Sequence, residues 1–348
     1  MLTARCPTSS LLPGLLFLVF SVGIHARVHA QEPQIEFQDW LAAVIVEARE
    51  QGIREEIIEQ ALGSVTPIPQ VISNDRNQAE FTETFEQYRE KRVTQWRIDT
   101  GRARLREHHE LLQRVSAHYG VEPRFIVAFW GVETNFGSFT GGTDVVRALV
   151  TLAYDPRRAD YFRRELFGAL QILNEGHITH ADMKGSWAGA MGQSQFMPTS
   201  FLRYAEDFDG DGKRDIWNSE ADVFASIANY LKGANWRGDQ TWGREVSLPA
   251  DYHARAGQWQ QPPTDYSCSV LRNHTVQLPL RDWQEIGVRR ADGSDLPGND
   301  FLASIVLPDG ETGRAFITYD NFRAILSYNC ANNYALSIGH LADRYLGY

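Results

Sequence analysis

The sequence predicts a mainly α-helical protein with one small β-containing insert. From residue 37 to about residue 120, apolar residues recur at spacings of three and four, which is the period of an amphipathic helix. The same period returns in several later segments and again from Asn321 to the C-terminus. Between about 239 and 319, prolines, glycines and short alternating runs predominate instead, as is typical of strands and turns.

The helices are predicted from their start and stop residues. Gly120 ends the N-terminal helical region, because glycine readily adopts the left-handed conformation that terminates a helix. Pro123 then opens a helix that runs to about Phe136 and is ended by Gly137. Two further helices with one apolar face are expected at 159–174 and 221–232.

The non-helical segments are predicted from turn residues and alternating patterns. Strands are expected within 275–280 and 301–307, where apolar and polar residues alternate or an apolar run precedes a turn. The stretches 138–144 and 238–244 are polar and rich in glycine, so we expect surface loops there.

The first 30 residues have the pattern of a secretory signal peptide. Arg5 provides the positive charge, residues 11–24 form an apolar stretch, and residues 28–30 fit a cleavage site. The apolar stretch is short for a membrane span, although an uncleaved membrane anchor is the alternative. We therefore expect an exported, soluble, periplasmic protein from which residues 1–30 have been removed.

Charge and cysteine content exclude several classes of protein. The 348 residues include 34 Lys and Arg against 44 Asp and Glu, a net charge of −10, so the chain lacks the basic surface that binds nucleic acid. Three cysteines are too few for a disulfide scaffold or a four-cysteine zinc site. Removal of the signal peptide leaves Cys268 and Cys330, and the sequence leaves open whether they form a disulfide.

A glutamate on an apolar helix face is the first candidate for chemistry. In the helix that begins at Pro123, Phe125, Phe129 and Glu133 are spaced at i, i+4 and i+8 and share one face. Burial disfavours the charged form of a carboxylate, which suits a general acid near neutral pH. The alternative is a glutamate near the helix C-terminus that turns outward or bonds to a neighbour.

A segment rich in glycine and small residues lies about fifty residues further along the chain. It runs from Gly185 to Pro198 and carries hydroxyl and amide groups at Ser186, Gln193 and Gln195. Such residues suit the wall of a carbohydrate cleft, where the backbone approaches closely and polar groups donate and accept hydrogen bonds. A glycine-rich turn between helices is the alternative.

Four sequence motifs follow one another along the chain, separated by unrelated segments. They are GVETNFG at 131–137, GSWAGAMGQSQFMPTS at 185–200, DFDGDG at 207–212 and NFRAILSYN at 321–329. With these motifs the chain resembles the lytic murein transglycosylases of the membrane-bound lytic transglycosylase B type, from about residue 37 to the C-terminus. The resemblance implies a lysozyme-like helical core with an N-terminal helical domain and a small β-containing subdomain.

The resemblance also implies domain boundaries. We expect a signal peptide at 1–30, an N-terminal helical domain at 31–120, a catalytic core with an EF-hand-like loop at 121–238, a β-containing subdomain at 239–319, and a C-terminal segment at 320–348 that returns to the core and the helical domain.

The activity implied by the resemblance is cleavage of the β-1,4 bond between N-acetylmuramic acid and N-acetylglucosamine in peptidoglycan, with formation of 1,6-anhydromuramoyl ends. Glu133 matches the single catalytic acid/base, and no cofactor is needed for catalysis. The positions that match the substrate cleft are Ser186, Gln195, Tyr230, Tyr328, Asn329, Tyr334 and, through a weaker alignment, Tyr88. Taken singly, each of these tyrosines is more typical of a hydrophobic core.

An acidic segment at 207–215 begins like an EF-hand calcium loop. The oxygen ligands at loop positions 1, 3, 5 and 7 would come from Asp207, Asp209, Asp211 and the backbone carbonyl of Lys213. Asn218 replaces the usual glutamate at position 12, and by the resemblance Asp222 of the next helix supplies the closing carboxylate. We expect a structural Ca²⁺ ion. An acidic turn that caps the following helix is the alternative.

Three functions therefore stay open at the level of sequence. The leading one is an exported lytic transglycosylase that acts on peptidoglycan glycan strands, as a monomer and without nucleic acid. The second is a hydrolytic muramidase of the same fold, and the third is a calcium-stabilised protein that binds peptidoglycan without cleaving it.

Overall fold

The computed structural model of the protein describes residues 36–76, 83–262 and 268–346. Across these ranges it contains fifteen α-helices and seven short β-strands, which confirms the predicted mainly helical class with a small β-containing part. The predicted signal peptide, residues 1–30, lies outside the described residues. None of the helices in the described ranges is long and apolar enough to cross a membrane.

Within the described residues, six helices precede the helix that carries Glu133. They are α1 (Phe37–Glu50), α2 (Glu55–Leu62), α3 (Pro69–Arg76), α4 (Phe85–Arg92), α5 (Gln95–Glu107) and α6 (His109–Tyr119). In α1 the buried residues Leu41, Val44 and Ala48 lie on one face, as the helical period predicts. Helix α6 ends at Gly120, whose φ of 75° is the left-handed conformation expected of a helix stop.

The helix with Glu133 is α7 (Pro123–Thr134), and nine of its twelve residues are buried. Pro123 occupies its first turn, as predicted. The helix ends two residues before the predicted Phe136, because Asn135 already adopts a left-handed conformation with φ of 49°. Phe136 and Gly137 continue at φ of 59° and 77°, so the chain turns sharply directly after the helix.

Six further helices of the described residues complete one hydrophobic core around α7. They are α8 (Val145–Tyr154), α9 (Ala159–Glu175), α10 (Pro198–Tyr204), α11 (Glu220–Gly233), α14 (Asp320–Tyr328) and α15 (Asn332–Arg344). Helix α15 packs against both α7 and α4. This single core contains residues of the predicted N-terminal domain, the predicted catalytic core and the C-terminal helices. The domain boundaries therefore stay a prediction.

The β-containing part is a five-stranded antiparallel sheet with the strand order β4-β6-β7-β3-β5. Its strands are β3 (Gly243–Ser247), β4 (Leu278–Pro279), β5 (Arg289–Arg290), β6 (Leu302–Val306) and β7 (Ala315–Thr318). Two short helices, α12 (Tyr252–Arg255) and α13 (Leu280–Ile286), accompany the sheet. Buried Tyr252, Trp259 and Trp283 join the strands in a second hydrophobic core.

Some of the predicted loops and strands are wrong in detail. The strand within 301–307 is confirmed as β6, but only Leu278–Pro279 of the segment 275–280 forms a strand. The stretch 238–244 is not a surface loop, because Trp242 is 1% exposed and donates from its indole Nε1 to Asp343 at 2.9 Å. This partner lies a hundred residues away, so local composition could not reveal the burial.

Two short strands form a second, two-stranded sheet in the described part of the chain. β1 (Thr143–Asp144) ends the predicted loop 138–144 and pairs with β2 (Lys184–Gly185) in an antiparallel register.

A disulfide joins Cys268 and Cys330, whose Cα atoms are 5.3 Å apart. The sequence had left open whether these two cysteines are bonded. The disulfide joins the segment between β3 and β4 to the turn between α14 and α15.

Candidate active site

Glu133 lies in the last turn of α7 and is half-buried. Its carboxylate Oε1 accepts a hydrogen bond from the Tyr334 hydroxyl of α15, a residue that is 3% exposed. Burial raises the pKa of Tyr334 well above its ordinary value, and the Glu133 carboxylate raises it further. The phenol therefore stays protonated across neutral pH and remains a donor to the carboxylate.

Aromatic rings extend from Glu133 along one row, which we call the aromatic row: Tyr334, Phe129, Tyr328, Tyr230 and Tyr204. The ring centroid of Phe129 is 6.2 Å from that of Tyr334 and 4.7 Å from that of Tyr328. Tyr230 then lies 4.7 Å from Tyr328 and 4.7 Å from Tyr204. The structure thus brings three of the tyrosines predicted from the resemblance together beside Glu133.

Two hydroxyl groups of the aromatic row, those of Tyr328 and Tyr230, are bound to backbone carbonyls. Tyr328 donates to the carbonyl oxygen of Ser194, and Tyr230 donates to that of Ser327 at 2.5 Å. Burial raises the pKa of Tyr328 well above its ordinary value and raises the pKa of Tyr230 to about 12. Because these hydroxyls are neutral and engaged, the two tyrosines offer mainly their rings to a ligand.

The glycine-rich segment between β2 and α10 is fixed to α7 through Gln193. The Gln193 Oε1 accepts a hydrogen bond from Trp130 Nε1 at 2.7 Å, and its backbone carbonyl accepts one from Thr134 Oγ1 at 2.9 Å. Its Nε2 donates to the carbonyl of Trp217 at 2.9 Å. Gln193 is 7% exposed, so its amide aligns this segment with the end of α7 and is itself inaccessible.

Gln195 and Ser186 hold the conformation of the same segment. Gln195 has a φ of 52°, and its Nε2 donates to the carbonyls of Thr140 at 3.0 Å and Gly192 at 2.9 Å. The Ser186 Oγ accepts a hydrogen bond from the backbone N–H of Ala190 at 3.0 Å. Both side chains are half-buried, so each combines a structural contact with access to solvent.

The remaining two predicted cleft residues differ in their surroundings. Tyr88 of α4 is half-buried below the Arg92 guanidinium, whose carbon is 5.3 Å from the ring centroid. Its phenol is close enough to Tyr334 to help raise the pKa of that residue, after burial and Glu133. Asn329 directly follows α14 and is exposed, with its backbone carbonyl bound to the N–H of Ala331 at 2.8 Å.

Arg97 is a buried residue at this site that the sequence did not single out. It is 7% exposed and reaches from α5 to the end of α7, where its Nε donates to the Gly131 carbonyl at 2.9 Å and its Nη2 to Asn135 Oδ1 at 2.5 Å. Burial lowers the pKa of Arg97. Carbonyl groups at a helix C-terminus carry partial negative charge, which compensates the buried cation. Arg97 therefore fixes the turn that carries Glu133.

The acidic loop forms a second cluster of carboxylates. Oxygen atoms of Asp207, Asp209 and Asp211 all lie within 4.8 Å of one another, and the three residues are exposed. The Asp207 carboxylate also accepts hydrogen bonds from the backbone N–H groups of Gly210 at 2.8 Å and Gly212 at 2.9 Å. Converging carboxylate oxygens are the ligands that calcium prefers, so these residues fit the predicted ion.

Asp222 does not belong to this cluster. It is fully buried, and its two oxygens accept hydrogen bonds from the backbone N–H groups of Phe208 at 2.8 Å and Asp215 at 2.7 Å. Burial raises the pKa of Asp222. Through these two hydrogen bonds, Asp222 of α11 holds the backbone near both ends of the loop.

The Lys213 side chain is exposed, and the backbone N–H of Lys213 donates to Asp211 at 2.8 Å.

The chain is similar to known transglycosylases in sequence. The family described as Transglycosylase SLT domain matches residues 36–343. Membrane-bound lytic murein transglycosylase B of Escherichia coli (strain K12) is 34% identical over 264 residues, which cover 74% of this chain and 66% of that protein. The chain thus aligns with just under two thirds of the length of this relative.

Solved structures are similar as well. SltB3 from Pseudomonas aeruginosa, in complex with NAG-anhNAM-pentapeptide, is 43% identical with a TM-score of 0.79 and covers 89% of this chain and 80% of its own. Escherichia coli lytic transglycosylase Slt35, in complex with calcium, is 28% identical with a TM-score of 0.72 and covers 88% of this chain and 92% of its own. These similarities confirm the lysozyme-like fold class that the motifs implied.

Proposed function

Because the chain belongs to the Transglycosylase SLT domain family, we propose that it is a lytic transglycosylase that cleaves the β-1,4 bond between N-acetylmuramic acid and N-acetylglucosamine in peptidoglycan. SltB3, which is 43% identical, has been solved with NAG-NAM-pentapeptide and with NAG-anhNAM-pentapeptide. The observation that carries the proposal is the Glu133 carboxylate at the start of an aromatic row, bonded to a phenol that stays neutral.

The proposed reaction uses Glu133 as its acid and then as its base. Protonated Glu133 gives its proton to the glycosidic oxygen as the bond from that oxygen to the muramoyl C1 breaks. The resulting carboxylate then accepts the proton of the C6 hydroxyl while O6 forms a bond to C1, which yields the 1,6-anhydro ring. Since the substrate supplies the nucleophile, the reaction requires neither a second carboxylate nor water.

Tyr334 supports both steps through its hydrogen bond to Oε1. A donor that remains protonated stabilises the carboxylate that forms after the first proton transfer and keeps the side chain in one orientation. The Tyr334 hydroxyl is a fixed dipole directed at the oxygen on which negative charge develops. It therefore stabilises that charge without having to reorient during the reaction.

We propose that the glycan strand binds along the aromatic row and the glycine-rich segment. The rings of Tyr88, Tyr230 and Tyr328 suit the apolar faces of sugars, since the hydroxyls of the last two are already bound to carbonyls. The exposed amide of Asn329 suits an N-acetyl group. Ser186 and Gln195 would border the cleft while they hold the backbone of the segment in place.

We also propose that the loop of Asp207, Asp209 and Asp211 binds a structural Ca²⁺ ion, with the backbone carbonyl of Lys213 as a further ligand. The three converging carboxylates repel one another, and a divalent cation removes that repulsion. The ion would stiffen the loop between α10 and α11, and the reaction at Glu133 does not pass through it.

The signal-peptide pattern at 1–30 supports export to the periplasm, where peptidoglycan is the substrate and the expected partner. An oxidising compartment is also consistent with the disulfide between Cys268 and Cys330. We propose that the exported protein acts as a monomer.

Digestion of purified sacculi tests the function. The wild type should release fragments that end in anhydromuramic acid, each lighter by one water than a reducing end, as measured by mass spectrometry. Glu133→Gln should reduce release by roughly a thousandfold, because general acid–base catalysis contributes about 10²- to 10⁴-fold. Glu110→Gln, at an exposed position of α6, is the matched control and should leave the rate unchanged.

The other outcomes would each contradict part of the proposal. Reducing ends would make the protein a hydrolytic muramidase. Binding to sacculi without any release would make it a non-catalytic binding protein, and equal release by the wild type and Glu133→Gln would remove Glu133 from the mechanism.

A further inference from the structure

Phe139 is the most exposed large hydrophobic residue in the described part of the chain, at 71% exposure. It lies in the short loop between α7 and β1, six residues after Glu133. An exposed phenylalanine contributes little to the stability of the fold, because its ring is not removed from water. Ligand sites are lined mainly by hydrophobic and aromatic side chains, so an exposed ring close in sequence to Glu133 is available to a ligand.

The loop presents Phe139 in a fixed place relative to the active site. The backbone N–H of Phe139 donates to the Thr134 carbonyl at 3.0 Å, so the residue lies against the end of α7. The next residue, Thr140, accepts a hydrogen bond at its carbonyl from Gln195 Nε2 at 3.0 Å. Phe139 is therefore held between the turn that carries Glu133 and a residue of the proposed cleft.

A second attachment follows two residues after Phe139. Gly141 has a φ of 91°, and a Cβ atom built there would lie 2.2 Å from the Gly185 carbonyl oxygen and 2.8 Å from the Ser186 nitrogen. The loop backbone thus packs directly on the strand that leads to Ser186, with no room for a side chain. Since one end of the loop is bonded to the end of α7 and the other packs on the strand that leads to Ser186, the exposure of Phe139 does not reflect a loose loop.

We propose that Phe139 is a sugar-binding platform at the rim of the Glu133 cleft, where its ring stacks on the apolar face of one pyranose ring of the glycan strand. The C–H groups on that face are weakly positive and match the negative face of an aromatic ring. The loop residues 138–142 carry no charge, which favours a neutral sugar over the charged groups of a stem peptide. The inference rests on the proposed function.

Kinetics on two substrates test the platform. One substrate is glycan strands from which the stem peptides have been removed, and the other is the same strands with peptides attached. Phe139→Ala should raise KM and lower kcat/KM about tenfold on both substrates, with kcat changed by less than about threefold, because a ring stacked outside the reacting atoms contributes binding. Phe139→Tyr should retain at least half of the wild-type kcat/KM.

Two control variants separate ring stacking from general effects. Phe139→Leu keeps an apolar side chain but lacks a flat ring, so its kcat/KM should remain close to that of Phe139→Ala. Leu302→Ala removes another exposed apolar side chain, 46% exposed in β6, and should match the wild type. The melting temperature of all four variants should stay within about 2 °C of the wild type, since none removes buried contacts.

Several results would overturn the inference. The first is a kcat/KM of Phe139→Ala that equals that of the wild type. The second is an equal kcat/KM for Phe139→Leu and Phe139→Tyr. The third is a loss of kcat/KM that is confined to peptide-bearing strands, which would mean that the ring contacts the stem peptide. If the wild type itself cleaves no strands, the proposed function fails. The platform is then tested alone by the affinity of peptide-free strands for Glu133→Gln with and without Phe139→Ala, where equal affinities would overturn it.

Discussion

The Glu133 site and the Asp207 loop both depend on carboxylates, but the fold supports them in opposite ways. Glu133 is one half-buried carboxylate whose hydrogen-bond donor, Tyr334, is 201 residues away along the chain. The acidic loop places three exposed carboxylates together within five residues and holds them with nearby backbone N–H groups. A proton-transfer group needs a controlled environment that only distant elements provide, whereas a cation site can be encoded by a short local segment.

Among the groups that support the two carboxylate sites, the largest effect is expected at the non-local site, in Tyr334→Phe. The variant removes the hydrogen bond to the Glu133 carboxylate and keeps the buried ring. Hydrogen bonds to charged groups contribute about 1.5–3 kcal/mol, so kcat should fall roughly 10- to 100-fold. The measurement is the rate of anhydromuramoyl release from sacculi under saturating substrate.

Tyr230→Phe is the matched control for that experiment. Its hydroxyl donates to the Ser327 carbonyl and makes no hydrogen bond to Glu133, so kcat should change by less than about threefold. Equal losses in the two variants would show that the aromatic row acts as packing only and that Tyr334 has no special relation to Glu133.

At the local site, calcium should change stability and leave catalysis alone. At a free Ca²⁺ concentration tenfold above Kd, the free energy of unfolding should increase by about 1.4 kcal/mol, measured by denaturant unfolding with and without a chelator. Asp209→Asn should abolish this increase. Lys213→Ala should preserve it, because Lys213 would bind through its backbone carbonyl and its side chain is exposed.

The calcium prediction is contradicted in two ways. A chelator that stops glycan cleavage at temperatures where the protein stays folded would give the ion a role at Glu133. Equal behaviour of Lys213→Ala and Asp209→Asn would show that the Asp209 carboxylate is not a ligand and that the loop does not bind the ion in the proposed way.

The smallest effect is expected for Asp222→Asn, and it separates two roles of that residue. The variant replaces one acceptor oxygen with an NH₂ group, so one of the N–H groups of Phe208 and Asp215 loses its partner. The calcium-free protein should lose about 1 kcal/mol in the free energy of unfolding. Unchanged stability of the calcium-free protein together with a complete loss of calcium binding would instead make Asp222 a direct ligand, as the sequence resemblance implied.

The same difference between local and distant support determines what the sequence could predict. Helix α7, its start at Pro123 and the face shared by Phe129 and Glu133 follow from local periodicity. The clustering of the loop carboxylates also follows from their spacing, since a few residues of backbone bring them together.

The partners of Glu133 could not be derived in this way. Motif resemblance assigned Tyr334 to the cleft, but no local pattern indicates that its hydroxyl reaches Oε1 of Glu133. Arg97 is one of four arginines in α5, and nothing in the sequence of that helix distinguishes it from the other three, none of which is buried. Gln193 is one of two side-chain amides in its segment, and its contact with Trp130 depends on the packing of the whole core.

The distance along the chain between Glu133 and Tyr334 has a consequence for how the protein becomes active. A polypeptide whose synthesis has stopped before α15, or from which a protease has removed that helix, carries the Glu133 carboxylate but not its hydroxyl donor. The ring that Tyr334 adds to the aromatic row is then absent as well, whereas Tyr328, at the end of α14, is still present. Under the proposed function, full lytic capacity is therefore a property of finished molecules.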